Sequence, residues 1–158
     1  MALARFLERI ESLGVSVDVR QMEHSTHTAE DAAAAVGCAV GAIVKSLVFL
    51  AGAEGLLVLT SGPNRVDTEL LAEAVGSPVI MADPKTVKSL TGYSIGGVPP
   101  FGHLTRLRTF VDIDLLAYAE VWAAAGAATA VFPIAPQDLV DITAARVVRV
   151  AVPTGIGR

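Results

Sequence analysis

Residues 42–62 read "AIVKSLVFLAGAEGLLVLTSG". Two runs rich in Leu, Val and Ile flank "GAEG", whose glycines allow a tight reversal, so the spacing predicts a β-hairpin. Each run is apolar almost without a break. A strand wetted on one face alternates apolar and polar residues, whereas a strand covered on both faces does not, so these two are expected as central strands. Lys45 interrupts the first run. Alternation puts residues 43, 45, 47 and 49 on one face, which sets Lys45 between Ile43 and Leu47 with Phe49 beyond. An ammonium there must reach water, a partner charge or a ligand. The competing reading is a lysine that snorkels out at a strand end.

Upstream of the hairpin, Leu3, Phe6, Leu7 and Ile10 share one helical face in residues 2–13, and Gly14 ends the pattern. "VSVDVRQM" (15–22) alternates Val15, Val17 and Val19 with polar partners and predicts a half-buried strand. A second helix is expected before Gly37, with Thr28 and Asp31 spaced as a capping box. Downstream, "SGPNRVD" (61–67) reads as a turn ending in the helix cap Asp67, with Asn64 and Arg65 placed to face a ligand at the strand's end. A helix stopped by Gly76, a strand near "PVIMA" and a short helix begun by Pro84 come next. Beyond residue 103 the pattern predicts a strand at "LRTFVDI", a helix at "LAYAEVWAAAG" (116–126), a strand at "ATAVF", a helix at "PQDLVDIT" and an edge strand in "RVVRVAV". The class is α/β: one domain, residues 1–158, with a mixed sheet.

Between the fourth predicted helix and the next strand lies "GYSIGGVPPFGH", residues 92–103. Gly92 to Gly96 spell G-x-S-x-G, but a nucleophile elbow needs a strand before it and a helix directly after it. A helix precedes this one, and Pro99 and Pro100 disfavour helical backbone at Val98 and Pro99. The loop makes better sense as a backbone device. Glycines let a ligand approach the main chain, prolines stiffen the chain beyond them, and the donors left on the arc are the N–H groups of Gly96, Gly97, Val98 and Phe101. Converging N–H groups of this kind hold a carbonyl oxygen or the oxyanion that forms from it.

Composition bounds the partners. The 158 residues are 53% hydrophobic and 18% charged, enough to bury one sizeable core. A net charge of −4 lacks the basic footprint of a protein that wraps DNA. Charge is nevertheless uneven: from residue 85 to 108 the chain carries Lys85, Lys88, Arg106 and Arg108 and no acidic residue. No apolar run approaches the roughly 20 residues of a membrane span, and the start lacks a signal peptide, so no membrane partner and a cytoplasmic location are expected. Cys38 is the single cysteine and has no basic activator near it in sequence, which suits a quiet small hydrophobe. His24 and His27 lie three apart without a third ligand at metal spacing, so neither a metal nor another cofactor is expected.

"EHSTHTAEDAAAAVG" (23–37), "IVKSLVF" (43–49), "LTSGPNRVD" (59–67), "MADPKTVKSLTGYSIGGVPPFGH" (81–103) and "FVDID" (110–114) succeed one another in the order and spacing of a known family. The chain resembles the YbaK/ProX family of aminoacyl-tRNA deacylases, which is related to the editing domain of bacterial prolyl-tRNA synthetase. Its most specific elements are the lysine of "VKSL" and the G-x-x-x-P element, here Gly96 to Pro100. The resemblance implies a barrel-like mixed sheet surrounded by helices and hydrolysis of the ester between a wrong amino acid and the terminal adenosine of a tRNA. It implies that Lys45 holds the acceptor end or its phosphate, that Gly96 and Gly97 act at the substrate carbonyl, and that the tRNA's own terminal hydroxyl helps position water. His24, Ser61, Asn64, Arg65, Val98, Pro100, Phe101, His103 and Asp112 are then expected to contact substrate, with Asp112 orienting water or the amino group. The partner is an aminoacyl-tRNA acceptor end, with prolyl-tRNA synthetase as a candidate second partner. Met22 stands before Glu23-His24 where the cysteine-editing branch has an aromatic, and "GGVPPFG" lacks a serine before its prolines. Those departures favour alanine or a similar small residue on tRNA-Pro over cysteine. The alternatives are a deacylase for another mischarged tRNA, a non-catalytic module that binds tRNA or a synthetase, and an esterase using Ser94.

Overall fold

The computed structural model describes residues 2–23 and 28–153. Along the chain these form α1 (Ala2–Ser12), β1 (Arg20–Gln21), α2 (Ala29–Val36), β2 (Val44–Ala51), β3 (Glu54–Ser61), β4 (Asn64–Val66), α3 (Thr68–Val75), β5 (Ile80–Met81), α4 (Pro84–Thr91), β6 (Arg108–Asp112), β7 (Val121–Ala124), β8 (Ala130–Ile134), α5 (Pro136–Thr143), β9 (Arg146–Val148) and β10 (Ala151–Pro153).

β2 and β3 make the hairpin at the heart of a five-stranded sheet of order β5-β2-β3-β6-β9. They pair antiparallel from Val44 opposite Ser61 to Ala51 opposite Glu54. Their reversal is a two-residue loop in which Gly52 has φ 62° and Ala53 does not share the positive φ, the pattern of a type II′ turn. β6 lies parallel to β3, and β9 parallel to β6, because helices and further strands intervene in the chain and return it to the same edge. The sheet is therefore mixed. β1, β8 and β7 form a second, antiparallel sheet, joined to the first by a parallel bridge between Ile43 and Trp122, and β4 pairs with β10. The sheets wrap around shared cores without closing into a single barrel, so the barrel-like arrangement is an open one.

Both faces of the hairpin are covered. Leu57 and Leu59 of β3 pack with Phe6 and Ile10 of α1 and with Phe132 and Leu139, while Leu56 and Val58 pack with Phe49, Leu71 and Phe110 on the other side. All four β3 residues are fully buried. Removing side chains of this size from water stabilises the fold by about 1.5–3 kcal/mol each. That explains the missing alternation.

The helix starts follow the caps. Thr28 accepts from the Asp31 N–H, Asp67 from those of Glu69 and Leu70, and Asp83 from that of Thr86, while Gly37, Gly76 and Gly92 end α2, α3 and α4 in the left-handed region. Three expectations need correction. Residues 116–126 hold no α-helix: the Asp112 side chain caps a tight 3₁₀ turn over Ile113–Ala117, and β7 then pairs with β8. A short apolar run does not separate a buried strand from a helix by period, and here sheet pairing overrides the alanines' helical preference. Val15, Val17 and Val19 alternate in burial as expected, yet the ladder is limited to Arg20 and Gln21. The tail divides between two sheets, with β9 on an edge of the large one and β10 bonded to β4, a strand that the turn reading of residues 61–67 did not anticipate.

Candidate active site

A cavity of about 340 Å³ opens beside the start of β2. Lys45, Ser46 and Val48 of β2 line it together with Thr28, Ala82, Val87, Ile95, Gly96, Val98 and Trp122. The lysine and the glycine loop, separated by some fifty residues of sequence, thus line the same cavity. Their neighbours are mainly apolar, which suits a small aliphatic group and strengthens polar contacts made inside.

Lys45 is half-buried, and its ammonium donates to the backbone carbonyl of Asn64. Burial pushes its pKa down from the ordinary lysine value, with Glu30 and then Asp112 pulling it back up. The Asn64 carbonyl is held in place from behind. Asn64 Nδ2 donates to Asp112 Oδ2 at 2.8 Å and to Asp114 Oδ2 at 2.7 Å, and Asp112 Oδ2 also accepts from the Ser61 N–H at 3.1 Å. Ser61 Oγ donates to the Gly41 carbonyl at 2.6 Å. Ser61, Asn64 and Asp112 are buried and form a frame behind Lys45 rather than part of the cavity wall. A donor fixed in this way keeps its remaining N–H bonds for a ligand. Arg65, by contrast, is exposed on β4 opposite Val152.

The glycine loop is anchored from α1. Arg5 donates to the Gly92 carbonyl at 3.2 Å, and Arg9 to those of Thr91 and Gly102 at 3.4 and 3.3 Å. Both guanidinium groups lie over the ring of the fully buried Tyr93, whose hydroxyl also donates to the Gly102 carbonyl. His103 Nε2 sits 2.6 Å from the Pro99 carbonyl oxygen; a carbonyl only accepts, so this nitrogen carries the proton. Burial holds the His103 pKa below its ordinary value. Phe101 packs with Phe6 and Phe132 in the core, and Pro100 is buried beside it, so both support the loop from beneath.

The two glycines differ in their reasons. Gly97 donates its N–H to the Ser94 carbonyl at 3.0 Å, which removes it from the donors counted in the sequence. A Cβ there would stand 2.8 Å from the Gly126 carbonyl oxygen, so only glycine fits against that turn. Gly96 has open space but φ 94°, a conformation that favours glycine. Among the described residues, the N–H groups of Gly96 and Val98 have no acceptor. Both residues line the cavity, as does Ile95, whose N–H likewise has no acceptor among the described residues.

Ser94 is exposed, its G-x-S-x-G comes after α4 instead of a strand, and among the described residues no base bonds its hydroxyl. Among the described residues no group of three or more His, Cys, Asp or Glu side chains is placed to hold a metal ion. Burial raises the Cys38 thiol's pKa, the opposite of activation. His24 and His27 lie outside the described residues. Ser46, Trp122 and Met81 line the cavity without having stood out in the sequence: Trp122 sat inside the expected helix, and Ser46 carries no motif of its own.

Three comparisons bear on this geometry. Residues 23–142 match the model of the aminoacyl-tRNA editing domain. The chain is 30% identical over 131 residues to the uncharacterized protein YwhH of Bacillus subtilis (strain 168), covering 82% of this chain and 83% of that one. It is 30% identical over 90 residues to a proline--tRNA ligase of Nitratidesulfovibrio vulgaris (strain DP4), of which the match spans 16%. A crystal structure described as a candidate trans-editing enzyme for prolyl tRNA synthetase superposes with a TM-score of 0.91 at 43% identity, covering 98% of each chain. Among the described residues no helix is long and apolar enough to cross a membrane.

Proposed function

The chain belongs to the aminoacyl-tRNA editing domain family, which is related to prolyl-tRNA synthetase editing, and from that premise we propose that it is a trans-acting hydrolase of mischarged aminoacyl-tRNA. Its substrate on this reading is alanine or a similarly small residue esterified to tRNA-Pro. One observation carries the proposal: Lys45 lines the same small apolar cavity as Gly96 and Val98, whose N–H groups have no acceptor among the described residues.

The chemistry comes from the donors. The ester carbonyl accepts from the Gly96 and Val98 N–H groups, which strengthen as negative charge develops on that oxygen. Water, positioned with the tRNA's terminal hydroxyl, adds to the carbonyl carbon. The bond from that carbon to the ribose oxygen breaks, and the oxygen leaves with a proton as a hydroxyl. Lys45 holds the phosphate-bearing acceptor end by charge, and exposed Lys85, Lys88 and Arg106 offer further contacts outside the cavity. No protein nucleophile is needed. The cavity sets specificity by size, because a synthetase cannot strongly reject a slightly smaller side chain and a second site must remove the error.

The test is deacylation of tRNA-Pro charged separately with alanine, cysteine, serine and proline. Release of alanine ahead of cysteine and serine, with prolyl-tRNA intact, is the expected result. Equal release of all four would contradict a size-selective cavity, and tight tRNA binding without release from any would favour the non-catalytic module.

A further inference from the structure

We propose that Ser46 Oγ is the acceptor for the α-amino group of the aminoacyl ester, a positioning role that rests on the editing reading. Among the described residues, the Ser46 hydroxyl is the one buried side-chain oxygen or nitrogen without a hydrogen-bond partner. Buried polar groups in folded proteins are almost always paired, and an orphan asks for an explanation. Ser46 also lines the cavity, between Val44 and Val48 on the same face of β2.

Donor and acceptor counting points to the amino group. An alanyl ester carries a carbonyl oxygen, a ribose oxygen and an α-ammonium, and its side chain is apolar. The Gly96 and Val98 N–H groups and the Lys45 ammonium are all donors, so they serve the oxygens and repel or ignore the nitrogen. An α-ammonium has three N–H bonds and no lone pair. Among the described residues no carboxylate lines the cavity, and Thr28 Oγ1 already gives one of its two lone pairs to the Asp31 N–H at 3.0 Å, whereas Ser46 Oγ has both free. Among the described residues lining the cavity, Ser46 Oγ is the buried side-chain acceptor with no partner of its own. A serine hydroxyl turns between staggered χ1 wells, and this one forfeits no hydrogen bond by turning into the cavity. Ser46 and Lys45 are adjacent on β2, so the strand that holds the acceptor end would also orient the amino acid.

The test compares single-turnover cleavage of two esters on the same tRNA-Pro, alanyl and propionyl, which differ by the amino group. Wild type is set against Ser46→Ala and Ser46→Thr. Ser46→Ala should lower kcat/KM for the alanyl ester by roughly tenfold or more, the loss expected for a hydrogen bond to a charged group, and leave the propionyl ester within about twofold. Ser46→Thr, which keeps the hydroxyl, should recover most of the alanyl rate. Because the hydroxyl has no partner to lose, Ser46→Ala should melt no lower than wild type. An equal loss on both esters, or an unchanged alanyl rate in Ser46→Ala, would overturn the assignment while leaving the editing reading intact. Wild type inert on both esters would overturn the editing reading and this role with it.

Discussion

Lys45 is costly where it stands. Burial lowers its pKa, and the neighbouring carboxylates of Glu30 and Asp112 restore part of the loss. The unfolded chain therefore keeps this proton to higher pH than the folded one, so folding stability should rise with pH between the lowered value and the ordinary lysine value. Titration of the lysine Cε resonances by NMR, with the Lys45 signal identified by its absence in Lys45→Met, should place it below about 10.4, the ordinary value. A Lys45 signal titrating at or above that value would contradict the burial argument. The lysine was legible from strand alternation alone, since a charge among Ile43, Leu47 and Phe49 demands a reason. Its acceptor was not. A backbone carbonyl has no signature in sequence, and Asp112, whose carboxylate joins Asn64 to the Ser61 N–H, stands 48 residues beyond Asn64 in the chain.

Among the elements, the 92–103 loop separates two kinds of glycine. A Cβ at position 97 meets backbone atoms of Gly126 and Ala127, which cannot swing aside as a side chain could, whereas a Cβ at 96 meets open space and strains only φ. Gly97→Ala should therefore shift the loop, lowering both thermal stability and cleavage rate. Gly96→Ala should cost about 1–3 kcal/mol of backbone strain without moving the 126–127 turn. Thermal melts and amide chemical shifts at Gly126 and Ala127 distinguish them; unchanged shifts in Gly97→Ala would contradict the packing account. The sequence marked this loop because glycine and proline constrain backbone directly. It could not show that Gly97 spends its N–H on Ser94, which depends on the turn's closed geometry. Residues 116–126 misled for a related reason: "VWAA" has no period to choose between helix and strand, and the choice lies with β8.

Across the whole molecule, the central hairpin is both the fold's interior and the site's platform. One face of β3 builds the core beneath α1 and the loop, and the other builds the core beneath α3, so damage to either reaches β2. Leu57→Ala should destabilise the protein by about 2–5 kcal/mol, read by denaturant unfolding. A loss under about 1 kcal/mol would mean that this core repacks easily. The central hairpin and most helix limits were legible because continuous apolar runs, caps and glycine stops are local signals. Which strands lie parallel, and that β4 and β10 pair, depends on long-range contacts that no local pattern encodes.

The measurement that tests the central claim most directly is single-turnover deacylation of alanyl-tRNA-Pro by wild type, Lys45→Ala and Ser94→Ala. Loss of roughly a hundredfold or more in Lys45→Ala, with Ser94→Ala close to wild type, is the predicted result, since a fixed charge on the substrate is removed in the first and only an exposed hydroxyl in the second. Full activity in Lys45→Ala, or its loss in Ser94→Ala, would contradict a site built from a lysine and a backbone loop.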